Sequence, residues 1–217
     1  FAEIPAVSSL VHLRHLEVHG TSQIKDVSTL TNLTSLETHE CWQMTGIDSL
    51  TQLTKLTIVG VVFSSWAPPP PATAVTDISS LTNLTHLKLR SNRDIRDISP
   101  LVNLTHLNLI WDCAITDISS LTKLVHLDIN SNELITDISP LTNLTSLCLS
   151  TNDAISDIAT LTNLTNLDIG CDHMLTFAAL RDMHSLRTLD ARHSLMLATD
   201  CGELSELAAG SDMQLYV

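Results

Sequence analysis

Aromatic residues are scarce in this 217-residue chain, at 3% of the total, although 44% of the residues are apolar. Any core must therefore be filled mainly by leucine and isoleucine. Cations are scarce too: 11 Lys and Arg stand against 24 Asp and Glu, for a net charge of −13. That balance argues against a nucleic-acid partner, because phosphate recognition needs clustered Lys and Arg. It also argues against an anionic membrane surface. No apolar run reaches the length of a membrane-crossing helix, so membrane insertion is not expected. No G-x-S-x-G, H-E-x-x-H or phosphate-binding loop is present, so the chain reads as a non-enzyme with no cofactor. The five cysteines, Cys41, Cys113, Cys148, Cys171 and Cys201, are odd in number, irregularly spaced and without a C-x-x-C. They read as reduced thiols in an intracellular, reducing compartment, with a secreted or cell-surface location as the alternative. No signal peptide opens the sequence, but Phe1 is not an initiator methionine, so a leader or a preceding domain is expected to have been removed.

What is abundant is a phrase. Leu141-Thr-Asn-Leu-Thr-Ser-Leu-Cys-Leu149 has close copies beginning at Leu30, Leu81, Leu101, Leu121 and Leu161, and looser ones at Leu10, Leu50 and Met183. From Leu81 to Leu161 the copies start every twenty residues. A unit this short cannot bury its own apolar face, so the period implies a solenoid of stacked units. The whole chain, 1–217, is expected to be a single solenoid domain. Five copies carry Asn-Leu-Thr, at Asn32, Asn83, Asn103, Asn143 and Asn163. These are N-glycosylation sequons, yet all sit at one repeat position, and copying of the unit accounts for them.

Period-two alternation places strands near 14–18, 35–38, 55–58, 86–89, 106–109, 126–129, 146–149 and 166–169, with a ninth near 187–191 and a tenth near 213–217. Each middle strand is followed by a turn and Ile-x-Asp-Ile, as in Ile95–Ile98 and Ile135–Ile138, with both isoleucines pointing inward. Ser99-Pro100 and Ser139-Pro140 then suggest short 3₁₀ turns on the opposite side, with Ser as N-cap and Pro at the first helical position. The period breaks once. Between Leu50 and Leu81, segment 60–76 adds a loop carrying Trp66 and Pro68 to Pro71, while the repeat resumes in register at Asp77-Ile78. Residues 177–181 suggest a helical turn or two. The unit at 199–217 is longer, with a helix expected from Thr199 to about Ala209. The Met213–Val217 edge carries no polar cap, so it is expected to continue in a longer array or to be covered by another chain.

The spacing Leu84-x-x-Leu87-x-Leu89-x-x-Asn92 is the signature of leucine-rich repeats, with Asn132 and Asn152 matching it, Asp112 and Asp172 as close substitutes, and Cys41 as the alternative that the signature allows. Ile-Thr-Asp-Ile-Ser-Pro-Leu resembles the short-repeat subclass found in bacterial internalins and in a regulatory subunit of protein phosphatase 1. The units depart from that subclass by lacking one L-x-x-L step and by an extra residue before the isoleucine. The resemblance implies an α/β solenoid: a right-handed horseshoe with about ten parallel strands on its concave face and short 3₁₀ or helical turns on its convex face. It also implies binding through the concave sheet. The phosphatase regulator is held to use acidic and aromatic residues there, whereas here only Trp111 and Tyr216 are aromatic candidates.

Equivalent positions on neighbouring strands stack about 4.8 Å apart, so candidate sites are columns. The first is His86, His106 and His126, flanked by the rows Lys88, Asn108, Asp128 and Arg90, Ile110, Asn130, with Trp111 beside them. This strip, joined by Trp66 of the inserted loop, is the expected partner-binding surface. Charged imidazoles so placed repel one another, but a copied histidine on an ordinary polar face accounts for the column without a pH switch. The second is His15, Glu17, His19, Glu37 and His39, a secondary patch. Its ligand types suit zinc, yet a flat sheet converges side chains poorly into a tetrahedron, so a solvated charged face and no metal are expected. The third is Asp26, Asp77, Asp97, Asp117, Asp137 and Asp157, whose carboxylates are expected to accept amides of their own turns. Cys148 and Cys171 read as incidental thiols, since no basic partner accompanies them. The function expected is a non-catalytic protein–protein interaction module. The alternative is a structural or assembly segment of a larger surface or effector protein, self-associating through the C-terminal edge strand.

Overall fold

The computed structural model describes residues 7–20, 24–41, 43–60, 75–111, 113–170, 180, 183–192 and 213–216. Within them lie β1 (His15–His19), β2 (Ser35–His39), β3 (Lys55–Val59), β4 (His86–Arg90), β5 (His106–Ile110), β6 (His126–Asp128), β7 (Ser146–Cys148), β8 (Asn166–Asp168), β9 (Thr188–Asp190) and β10 (Gln214–Tyr216). All ten join one parallel sheet in chain order. The register is one unit per strand, so Leu87 pairs with Leu107, Leu107 with Leu127 and Leu127 with Leu147. The inserted stretch leaves this register intact: Lys55 pairs with His86, although Thr85 bonds to a carbonyl 31 residues back where Thr105 reaches 20. Trp66 and the prolines beside it fall outside the described residues, as do Asp112, Cys171, Asp172, Cys201 and the expected helix at 199–209. Of 177–181 only Leu180 is described, and it is buried.

Each strand alternates because its leucines line the interior. In one middle unit Leu81, Leu84, Leu87, Leu89, Ile95 and Ile98 are all at most 2% exposed. A fully buried leucine contributes about 1.5–3 kcal/mol relative to an exposed one, and stacking copies of this set makes a continuous core that, among the described residues, holds no aromatic side chain.

The side away from the sheet differs from expectation in one respect. Among the described residues 3₁₀ turns occur at Val7–Ser9 and Ile47–Ser49, but Ser99-Pro100 and Ser139-Pro140 are simple turns. Asp97 and Asp137 Oδ1 accept the Ser99 and Ser139 amides at 2.8 Å, and a single bond, from the Leu101 amide to the Ile98 carbonyl and from Leu141 to Ile138, closes each turn. Asp26, Asp77, Asp117 and Asp157 do the same for residues 28, 79, 119 and 159. These bonds hold the carboxyls of Asp26, Asp77, Asp97, Asp117 and Asp137 below the usual aspartate range.

Adjacent units are stapled by the sequon itself. Asn103 Nδ2 donates to the Thr82 carbonyl at 3.0 Å, and Thr105 Oγ1 donates to the Thr85 carbonyl at 3.1 Å. Asn32, Asn83, Asn143 and Asn163 each repeat the first bond. At the turn after the strand, Asn92 Oδ1 accepts the Asp94 and Ile95 amides, Asn132 the Leu134 amide and Asn152 the Ala154 amide. Cys41 fills that position in its unit, its Sγ lying 3.2–3.5 Å from the Val18, Gly20 and His39 carbonyls, one of which its single S–H reaches. Next to Asp112, the buried Cys113 donates to the Leu89 carbonyl at 3.5 Å.

Candidate functional site

Alternation that sends leucines inward sends the residues between them onto the open face of the sheet. On β4, β5 and β6 these are the three histidines of the first column, and strand pairing sets His86 against His106 and His106 against His126. The rings stack, with centroids 4.2 Å apart at 9° for the first pair and 5.8 Å apart at 29° for the second. Thr85 and Thr105 hydroxyls lie 2.9 and 3.0 Å from the Nδ1 atoms of His86 and His106 and fix how those rings are turned. Burial, then the neighbouring His106, then Lys55 lower the His86 pKa; burial and His106 lower that of His126, against the opposing pull of Asp128. His86 and His126 are therefore biased toward neutral imidazoles, which can donate, accept and offer a flat ring face.

The second row is drawn together in part. Asn108 Nδ2 donates to Asp128 Oδ2 at 3.1 Å, while Lys88 is exposed. Asp128 Oδ1 also accepts the Asn130 amide, and Asn130 Oδ1 accepts the Ser131 hydroxyl. A depression of about 330 Å³ crosses the same face, lined by Glu37, Lys55, Thr57, His86, His106 and Asn108, with His126 at its far end. It links the strip to the N-terminal patch.

Trp111 ends the strip. It sits at a turn position where φ is positive in several units: Gly20, Glu40, Ser91, Trp111, Ser131 and Thr151. Small or polar residues accept that conformation more readily than an indole does. Trp111 holds it at φ 58°, is 36% exposed, and has the Arg90 guanidinium 4.2 Å from its ring centroid. Arg90 stacked on Trp111 is a pairing that sequence reasoning placed side by side without seeing the contact; the two are one strand apart at adjacent repeat positions.

On β1 and β2 the structure brings Glu17, His19, Glu37 and His39 together and leaves His15 opposite Ser35, one step removed. Glu17 Oε1 lies 2.6 Å from His19 Nε2, and Glu37 Oε1 lies 2.8 Å from His39 Nε2. The two imidazoles stack at 4.4 Å and 12°. Ligand atoms of Glu17, His19 and His39 all fall within 4.8 Å of one another. Cys148 points outward from β7, half-buried, with Sγ 3.5 Å from Asp168 Oδ2. Burial, followed by the nearby Asp128, pushes its thiol up to about 12, which leaves it un-ionised and unreactive at neutral pH.

A parallel sheet of stacked twenty-residue units, with leucine ladders inside and asparagine at the turn, defines a leucine-rich-repeat solenoid. A family profile described as Leucine Rich repeats (2 copies) matches residues 102–143. Among solved structures the chain is similar to an internalin (InlF) of Listeria monocytogenes, with 29% identity, 88% of this chain and 57% of that one covered, and a TM-score of 0.63. It is also similar to internalin C2 of the same organism, with 25% identity, 82% and 81% covered, and a TM-score of 0.59. A leucine-rich-repeat protein of Leptospira interrogans shares the fold, with 21% identity over 99% of this chain and 57% of that one and a TM-score of 0.66. No curated protein matches the sequence. Residues 102–143 thus carry leucine-rich repeats, and the described residues share the fold of leucine-rich-repeat proteins, a scaffold suited to binding other proteins. It spans 57% of the length of the InlF internalin.

Proposed function

We propose that the chain is a non-catalytic module that binds a protein partner across β4–β6, on the concave face that the family implies. The observation that carries this reading is Trp111. An indole kept at a left-handed turn position, partly exposed and stacked by Arg90, is costly for folding and useful for contact. Around it, His86, His106, His126, Lys88, Asn108, Asp128 and Asn130 offer a mixed polar rim of modest net charge. Trp and Arg are the residues that most often dominate binding energy. The Trp66 loop is proposed as a second contact flanking the strip.

The test is retention of interacting proteins by the immobilised chain. The triple variant His106→Ala, Trp111→Ala, Asp128→Ala is expected to lose the proteins that the wild type retains. A variant outside the strip, Val102→Ser, is expected to keep them. Equal retention by wild type and triple variant sinks the assignment. Assembly through β10 is the competing reading; Tyr216 on that strand is 46% exposed. Sedimentation that stays monomeric at all concentrations removes it.

A further inference from the structure

We propose that Glu17, His19 and His39, with Glu37 beside them, form a binding site for a divalent transition metal, of which zinc is the type. Strand register puts like against like at this end of the sheet: Glu17 pairs with Glu37, and His19 with His39. Two carboxylates facing each other across neighbouring strands repel. A divalent cation between the strands cancels that repulsion. The donors are of the right kind, since zinc takes imidazole nitrogen and carboxylate oxygen in a tetrahedral set at about 2.0–2.2 Å.

The distances are close to what is needed. Two ligand atoms of such a tetrahedron lie about 3.4 Å apart, and those of Glu17, His19 and His39 already lie within 4.8 Å of one another. Closing that gap takes side-chain rotation only. The side chains have room for it: His19 is 63% and Glu17 48% exposed, His39 29% and Glu37 38%. The stacked rings must turn so that both Nε2 lone pairs converge, and each then exchanges its carboxylate contact for the metal. Any proton on Nε2 leaves to solvent.

The other histidine stack does not offer this. His86 and His106 have threonine hydroxyls at Nδ1, and the row beside them reads Lys88, Asn108, Asp128, with a cation at one end and a single carboxylate at the other. The two stacks thus serve as each other's control.

The experiment is calorimetric titration of zinc into the chelator-treated chain, with cobalt as a spectroscopic substitute. One zinc per chain is expected, together with the intense visible absorption of four-coordinate cobalt. His19→Ala and His39→Ala should each weaken binding about tenfold or more. Glu17→Gln should weaken it and His106→Ala should leave it unchanged. Absence of binding overturns the proposal. So does binding that survives both His19→Ala and His39→Ala, or that is lost in His106→Ala. Circular dichroism of the variants verifies that the fold is retained, as these side chains are largely outside the core.

Discussion

His19 and His39 stack at 4.4 Å and 12°, and His86 and His106 at 4.2 Å and 9°, so ring geometry alone does not separate the two histidine groups of this sheet. Their neighbours do. The first pair has a carboxylate at each Nε2; the second has a threonine hydroxyl at each Nδ1. A parallel, in-register sheet repeats whatever residue the unit carries, so histidine stacking is a by-product of copying. Chemistry enters through the residue two positions along the strand, which is Glu on β1 and β2 but Lys, Asn and Asp on β4 to β6.

The largest effect that bears on this contrast lies beneath both groups. Leu36 and Leu107 are fully buried under the first and second stacks. Replacing either by alanine should cost about 2–5 kcal/mol in urea denaturation. Equal losses mean that the two stacks stand on the same support; a loss below about 1 kcal/mol at either would show that its strand is not packed as described. Next comes binding. Trp111→Ala alone should weaken a retained partner by about 2 kcal/mol, or roughly thirtyfold, while His19→Ala leaves it unchanged. The reverse order would transfer the binding surface to the N-terminal patch.

A smaller effect is pH-dependent. The pKa values of His86 and His126 lie below their ordinary 6.5. The unfolded chain then binds protons first as pH falls, so stability is full above about 6.5 and declines as pH drops from there toward the folded values. The charged and titratable groups around these rings are His106, Lys55, Lys88 and Asp128. His126→Asn should flatten the change in urea midpoint between pH 7 and 5. Asp26, Asp77, Asp97, Asp117 and Asp137 act in a separate window: their pKa values lie below 3.8, so the stability they contribute is present above that value and is lost as pH falls beneath it. The smallest expected signal is chemical. Cys148, at about 12, should resist iodoacetamide at pH 8, as read by mass spectrometry of the native chain. Rapid alkylation would show that the face around β7 is more open than its burial implies.

The sheet was legible because leucine spacing reports burial directly: the expected starts at His86, His106, His126, Ser146 and Asn166 are the observed ones. The turns were legible only in part. Serine before proline signals a helix start, but only one turn bond forms at each, from Leu101 to Ile98 and from Leu141 to Ile138, before the chain heads into the next strand. The columns at the two histidine groups followed from alternation and period. What linear sequence does not carry is side-chain rotation: the Arg90–Trp111 stack, the Thr hydroxyls at Nδ1, and the convergence of Glu17, His19 and His39 all depend on torsions that spacing leaves open.

The asparagine staple bears on how such a chain lengthens. Asn103, Asn143 and Asn163 each reach a carbonyl 21 residues back, and no farther. A duplicated unit therefore arrives with its own donor and its own acceptor, and growth by copying needs no change in the unit it lands beside. Length added inside a unit is tolerated provided that the next strand regains its register, as His86 does opposite Lys55. The same bond turns the Asn-Leu-Thr triplet from an address for glycan attachment into a hinge pin between generations of the repeat. A sugar on that nitrogen would take one of its two hydrogens and leave one for the carbonyl, so a glycan at such a triplet would have to fit around the joint between two copies.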